Sequence, residues 1–222
     1  MAKLGFVILG QTPRRDIEQA YRHYLPDTEF LFAGGLDGMS HEEIEQLAQP
    51  PAQYPLLTIL ADGSTREICL YQLLPKLNQK AQELRQQGAQ VLVLMCAGRF
   101  PDLDIDVPVI YPQRLISAVV GSISAKKRIH IISPNQAQLP VALESWRSEG
   151  FTVDGASASP LKRDEFSLAV KEVSERSTAD CLVLDCMGFS AESVTLAQPL
   201  TSVPVICPQR LVARVVAELL NA

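Results

Sequence analysis

The sequence predicts an α/β protein of two similar lobes, each built on a parallel sheet, and three observations carry that expectation. First, the chain repeats itself. Residues 107–120 (Val-Pro-Val-Ile-Tyr-Pro-Gln-Arg-Leu-Ile-Ser-Ala-Val-Val) and 203–216 (Val-Pro-Val-Ile-Cys-Pro-Gln-Arg-Leu-Val-Ala-Arg-Val-Val) align without gaps and share ten of fourteen residues. Second, each repeat follows an apolar run that ends in cysteine and glycine. These runs are Val91-Leu-Val-Leu-Met-Cys96-Ala-Gly98 and Cys181-Leu-Val-Leu-Asp-Cys186-Met-Gly188. Short apolar runs bounded by glycine read as fully buried strands. Third, strand-like and helix-like segments alternate ahead of both copies, the pattern of parallel sheets covered by helices. Duplication of a half predicts lobes related by pseudo-twofold symmetry.

The elements follow in order. Leu4 to Leu9 is an apolar run and the first strand. In Gly10-Gln11-Thr12-Pro13-Arg14, Thr12 suits an N-cap and Pro13 a first helical position, which predicts a helix to about Tyr24. Glu29 to Ala33 is the next strand, followed by a turn-rich Gly34-Gly35-Leu36-Asp37-Gly38. Ser40 with Glu43 three residues on is a capping box, and Gln49-Pro50-Pro51 closes that helix. Residues 56–60 and 66–70 flank Ala61-Asp62-Gly63-Ser64, a hairpin signal that decorates the edge of the first lobe. A helix from about Tyr71 to Gln87, stopped by Gly88, leads to the first cysteine strand.

The second half repeats this plan. Residues 128–132 form a strand, Ser133-Pro134 follows, and a helix marked by Pro140 ends before Gly150. Residues 152–156 form a strand and residues 164–177 a helix, and the second cysteine strand comes next. A longer loop after Cys186 than after Cys96 precedes the second Val-Pro-Val-Ile strand, and each such strand opens a helix at Pro-Gln-Arg.

Composition narrows the function. Hydrophobic content of 47% and charged content of 20% are those of a soluble globular protein. A net charge of −5 without a basic block argues against nucleic-acid binding. The apolar run at the start is too short for a signal peptide or membrane span. Five cysteines in a chain of 222 residues, without a dense framework, predict reduced thiols and a cytoplasmic setting. Neither Cys-x-x-Cys nor His-Glu-x-x-His occurs, so no metal site is expected.

The chemistry is expected at the carboxyl ends of the strands, where open α/β sheets bind ligands. Cys96 and Cys186 stand there in matching positions, each two residues before a glycine, Gly98 and Gly188. Helix N-termini at the strand lips would favour their thiolates. One thiolate removes a proton from a carbon beside a carboxylate and the opposite thiol returns one on the other face, inverting the centre without a cofactor. A productive closed form needs the sulfurs on the order of 7 Å apart. Cys69, Cys181 and Cys207 lie in or beside apolar runs and read as packing residues. Asp185 would raise the Cys186 pKa unless strand alternation sends its side chain across the sheet. Gln11, Thr12 and Arg14 after the first strand, and Ser133 after its counterpart, are the candidate donors to a substrate carboxylate, and Gly98 and Gly188 are the other candidate substrate-binding positions.

Gly10-Gln-Thr-Pro-Arg14, Gly35-Leu-Asp-Gly38 and Asp185-Cys-Met-Gly-Phe189 resemble the AroM family along essentially the whole chain. The two-cysteine, two-lobe plan is similar in turn to the aspartate/glutamate racemase superfamily. That resemblance implies an aspartate/glutamate racemase-like fold, a site between the lobes, catalysis without pyridoxal phosphate, and Cys96 and Cys186 as the catalytic pair. It also implies an exchange of helices, with 1–113 plus 208–222 in the first lobe and 114–207 in the second. In the racemases the first cysteine is followed by Asn-Thr or Asn-Ser and the second lies in Gly-Cys-Thr. Here Ala97 and Gly98 follow Cys96, and Asp185 and Met187 flank Cys186. The cysteines carry over, and the polar substrate-binding side chains do not.

The expected function is a cofactor-independent racemase, isomerase or lyase acting on a small carboxylate. The alternative is a non-catalytic small-carboxylate binding protein tied to aromatic amino-acid metabolism. Neither nucleic acid nor membrane is an expected partner, and a homo-oligomer is left open.

Overall fold

In a computed structural model, residues 1–49 and 55–221 are described. The chain divides into two compact units, Met1–Pro112 with Val216–Ala222, and Gln113–Val215.

The first unit contains β1 (Lys3–Ile8), α1 (Arg15–Arg22), β2 (Glu29–Gly34), α2 (His41–Leu47), β3 (Pro55–Ile59), β4 (Thr65–Cys69), α3 (Leu70–Gln86), β5 (Val91–Leu94) and β6 (Val109–Ile110). Its main sheet is parallel, in the order β2-β1-β5-β6. The helix that covers it, α3, buries Leu70, Leu73, Leu77, Ala81 and Leu84, a three-to-four-residue spacing that gives one apolar stripe. Each leucine so buried contributes roughly 1.5–3 kcal/mol. The stripe packs with Val7, Leu92 and Leu94 of the sheet. Gly88 ends the connection at φ 93°, a conformation that only glycine adopts without strain.

After α4 (Pro112–Ile123), the second unit contains β7 (Arg128–Ser133), α5 (Leu139–Ser148), β8 (Thr152–Ser157), α6 (Arg163–Arg176), β9 (Cys181–Leu184), α7 (Ala191–Ala197), a 3₁₀ turn at Gln198–Leu200 and β10 (Val205–Ile206). The last helix, α8 (Pro208–Asn221), begins in this unit. The sheet order is β8-β7-β9-β10, the order of the first sheet with each strand replaced by its counterpart. Register agrees as well. Leu4 pairs with Val91 in one sheet and Ile129 with Cys181 in the other. Leu92 pairs with Val109, and Leu182 with Val205. The repeated sequence thus folds into repeated α/β lobes with parallel sheets.

Alternation along β9 sorts its side chains. Leu182 and Leu184 pack with Phe166, Val170 and Val173 of α6, while Cys181 and Val183 pack with Trp146, Phe151, Ile116 and Val120.

Several local expectations are corrected. The first helix begins at Arg15, with Arg14 at the cap position, and ends at Arg22. Thr12 does not cap it, because its N–H and hydroxyl both donate to the Asp37 carboxylate, at 2.7 and 3.0 Å. A charged acceptor of two donors outcompetes one helix N–H. The Ser40–Glu43 capping box forms as expected, but α2 stops at Leu47, and Pro50-Pro51 lies outside the described residues. The hairpin forms but is no mere decoration. Leu56, Leu60 and Ile68 enter the core of the first lobe, and Gln11 N–H donates to Ile59 O at 3.0 Å. The segment after Cys186 is not a plain loop: it holds α7 and the 3₁₀ turn, which the first lobe has no counterpart for at that place.

Candidate active site

In each lobe the candidate cysteine follows the last residue pair of a central strand. Cys96 N–H donates to Leu94 O and Cys186 N–H to Leu184 O, both at 2.8 Å. Two residues on, Gly98 N–H points at Cys96 Sγ and Gly188 N–H at Cys186 Sγ, both at 3.3 Å. A Cβ at Gly98 would touch Cys96 Sγ at 3.4 Å and one at Gly188 would touch Cys186 Sγ at 3.5 Å, so both glycines pack directly against the sulfurs. Both cysteines are partly exposed and unbridged. An amide aimed at sulfur stabilises negative charge there. Along the chain, α7 begins at Ala191, and the segment after Cys96 reaches no helix before Pro112.

The other cysteines differ. Cys181 is buried, and desolvation with the neighbouring Asp180 charge pushes its thiol up to about 11. Burial also pushes the Cys207 thiol up, and its sulfur donates to Phe189 O at 3.3 Å. Cys69 is partly exposed, at the end of the hairpin strand β4.

Asp185 and Cys186 separate as alternation requires. Cys186 packs on the α6 side of the second sheet, while Asp185 accepts from Trp146 Nε1 at 3.4 Å on the other side. Desolvation raises the Asp185 carboxyl to about 6, with the Glu149 charge adding to the rise.

The candidate donors already have partners inside their lobe. Gln11 Nε2 donates to Leu36 O and Met39 O, at 3.2 and 3.4 Å, and Gln11 Oε1 accepts from Ala61 N–H at 3.0 Å. Thr12 is held by Asp37, which also accepts from Gly34 N–H at 2.6 Å. Arg14 forms a two-point contact with Asp16, at 2.8 and 2.6 Å. These residues lock three segments at the carboxyl edge of the first sheet. Asp37 is the centre of that lock, although the sequence showed it only as part of a turn. Ser133 ends β7 rather than opening a loop. It is fully buried, and its hydroxyl has no hydrogen-bond partner.

Among the described residues, no cluster of three or more His, Cys, Asp or Glu side chains is arranged to hold a metal ion, and no helix is long and apolar enough to cross a membrane.

A family model described as AroM protein matches residues 4–220. The chain belongs to the AroM family. No curated protein matches it. Solved structures do. An allantoin racemase from Klebsiella pneumoniae aligns with a TM-score of 0.63 at 18% identity, over 100% of this chain and 88% of that one. A maleate isomerase from Pseudomonas putida S16 aligns at 0.64 and 14%, over 99% and 93%. An unliganded arylmalonate decarboxylase aligns at 0.63 and 12%, over 100% and 93%. At these identities the shared property is the fold, so this AroM chain has an aspartate/glutamate racemase-like fold.

Proposed function

We propose that this AroM family member is a cofactor-independent enzyme of the racemase, isomerase or lyase type, acting on a small carboxylate with Cys96 and Cys186 as its acid/base pair. One observation carries the reading. Two lobes of the same topology each present a partly exposed thiol at the carboxyl end of a central strand, with the same glycine N–H on its sulfur.

One cysteine is a thiolate and takes the proton from the carbon beside the substrate carboxylate. The C–H electron pair moves into the carboxylate. The thiol on the opposite face then gives its proton to that carbon, and its sulfur keeps the S–H electron pair. The products are the inverted centre and a cysteine pair with exchanged roles. In a lyase variant, loss of carbon dioxide supplies the same electron pair and a single thiol quenches it. The named structural neighbours include a racemase, an isomerase and a decarboxylase, and the isomerase is known with maleate. That range fits one electron-pair intermediate with several outcomes.

The test is proton exchange. The wild type and the Cys96→Ser and Cys186→Ser variants are incubated in D2O with a panel of chiral and unsaturated small carboxylates, followed by NMR and chiral chromatography. The wild type should invert a member of the panel with uptake of solvent deuterium at the reacting carbon. Each variant should lose inversion by about a hundredfold or more, since acid/base groups contribute roughly 10²–10⁴. Dependence on Cys186 alone would select the lyase variant. Ligand binding without exchange would sink the enzymatic reading.

That second outcome has an observation in its favour. Ala97 and Met187, neither with a polar side chain, follow the two cysteines. A chain so arranged suits a non-catalytic small-carboxylate binding protein, sensing or carrying a metabolite of aromatic amino-acid metabolism.

A further inference from the structure

The repeated Pro-Gln-Arg motif has so far only opened helices. In the second lobe its glutamine does more. Gln209 is buried, and its Nε2 donates to Met187 O at 3.3 Å. Met187 O and Gly188 N belong to one peptide group, and that group is planar. At its other end, Gly188 N–H points at Cys186 Sγ at 3.3 Å. A donor on the carbonyl therefore fixes the tilt of the N–H that meets the sulfur, and it polarises that N–H further.

A second side chain from the same repeat supports the turn. Cys207 Sγ donates to Phe189 O at 3.3 Å and to Ser190 O at 3.8 Å. In the first copy of the repeat the matching residues act elsewhere. Tyr111 Oη accepts from Leu103 N–H at 2.6 Å, and Gln113 Nε2 donates to Glu149 Oε1 at 2.5 Å. The glutamine-to-peptide link thus belongs to the Cys186 turn and is not made by Gln113.

We infer that Gln209 is a positioning residue for Cys186: through the Met187–Gly188 peptide it aims and strengthens the amide that stabilises the Cys186 thiolate. This rests on the reading of Cys186 as an acid/base group, but the link itself is testable without turnover. The charged and titratable groups near it include the Asp185 carboxyl on the opposite face of the sheet, and the Cys207 thiol and Arg210 guanidinium, which interact with each other.

The test is the pH profile of iodoacetamide alkylation, resolved for each cysteine by peptide mass spectrometry, in wild type and Gln209→Met. Methionine keeps the buried volume and removes the donor. The Cys186 midpoint should rise by about half to one pH unit, a drop of roughly three- to tenfold in thiolate below the midpoint, while the Cys96 midpoint stays fixed. An unchanged Cys186 midpoint in a folded variant would overturn the inference, and so would equal shifts of both cysteines. Should Gln209→Met fail to fold, NMR of the wild type decides. The Gly188 amide and the Gln209 side-chain amide must both report the Cys186 titration, and silence of the Gln209 signal overturns the link. If the midpoint shifts as expected but Cys186→Ser retains full turnover, the catalytic reading fails while the positioning of the sulfur stands.

Discussion

Asp185 and Cys186 are consecutive residues directly after β9, and their side chains leave the second sheet on opposite faces. Asp185 meets Trp146 Nε1, and Cys186 packs against the α6 side. The carboxyl is thereby kept from direct contact with the thiol, at the cost of its own hydration.

That cost should be measurable. Burial lifts the Asp185 carboxyl from 3.8 to about 6, so between those values the folded chain holds more protons than the unfolded one. Stability then falls as pH rises through this window. The deficit at neutral pH has an upper limit of roughly 3 kcal/mol. Asp185→Asn, which still offers Trp146 an oxygen, should raise the melting temperature at pH 7.5 and change it little near pH 4. A lower melting temperature at pH 7.5 would contradict the desolvation account.

His130 should act in the opposite direction. It is buried in β7, its Nε2 lies 3.0 Å from Ser177 Oγ, and its Nδ1 has no partner. Desolvation holds its pKa below the ordinary 6.5, against the Asp154 charge and with help from Arg176. The unfolded chain therefore takes up the proton first, and stability is lost as pH falls below about 6.5. His130→Gln should flatten that acid-side loss in a series of urea titrations from pH 7 to 5. An unchanged pH slope would place the loss on other groups.

Asp37 should be the residue at the carboxyl edge of the first sheet least tolerant of change. One carboxylate accepts from Thr12 N–H, Thr12 Oγ1 and Gly34 N–H. Hydrogen bonds to charged groups contribute about 1.5–3 kcal/mol each, with strong overlap when they share an acceptor. Asp37→Ala should cost on the order of 3 kcal/mol and Asp37→Asn roughly half of that, since one oxygen still accepts. Chemical denaturation measures both, and a neutral Asp37→Ala would remove the lock from the account of this loop.

Gly10→Ala should displace the hairpin. A Cβ there would overlap the carbonyl of Ile59, which is also the acceptor of Gln11 N–H. Overpacking of this kind costs about 1–3 kcal/mol, and here the loss of the hairpin's inner face from the core adds to it. Faster amide exchange in 55–69, with the second lobe unaffected, is the expected signature.

The sheets were legible because their signals are local. Apolar runs at 91–94 and 181–184, the doubled Val-Pro-Val-Ile and the Ser40–Glu43 box each lie within a few residues. The first-helix cap was misread because Thr12 looks like a cap from its neighbours alone. Its acceptor, Asp37, lies 25 positions away, and no local pattern reveals it. Likewise α7 was hidden because Ser190 completes its box with Ser193 rather than Glu or Gln. At the candidate site the cysteines and glycines could be found from the repeat, but Gln209 could not. Both Pro-Gln-Arg copies read alike, and only the fold gives one glutamine a peptide carbonyl and the other a carboxylate.

The division of the chain also bears on how it is made. The unit that begins at Met1 is interrupted at Pro112 and regains chain only from Val216 onward, whereas the other runs without a break from Gln113 to Val215. Since synthesis proceeds from the N-terminus and domains tend to fold as they emerge, the half that leaves the ribosome first is the half completed last. It still lacks its final helical segment when the later half already has all of its residues.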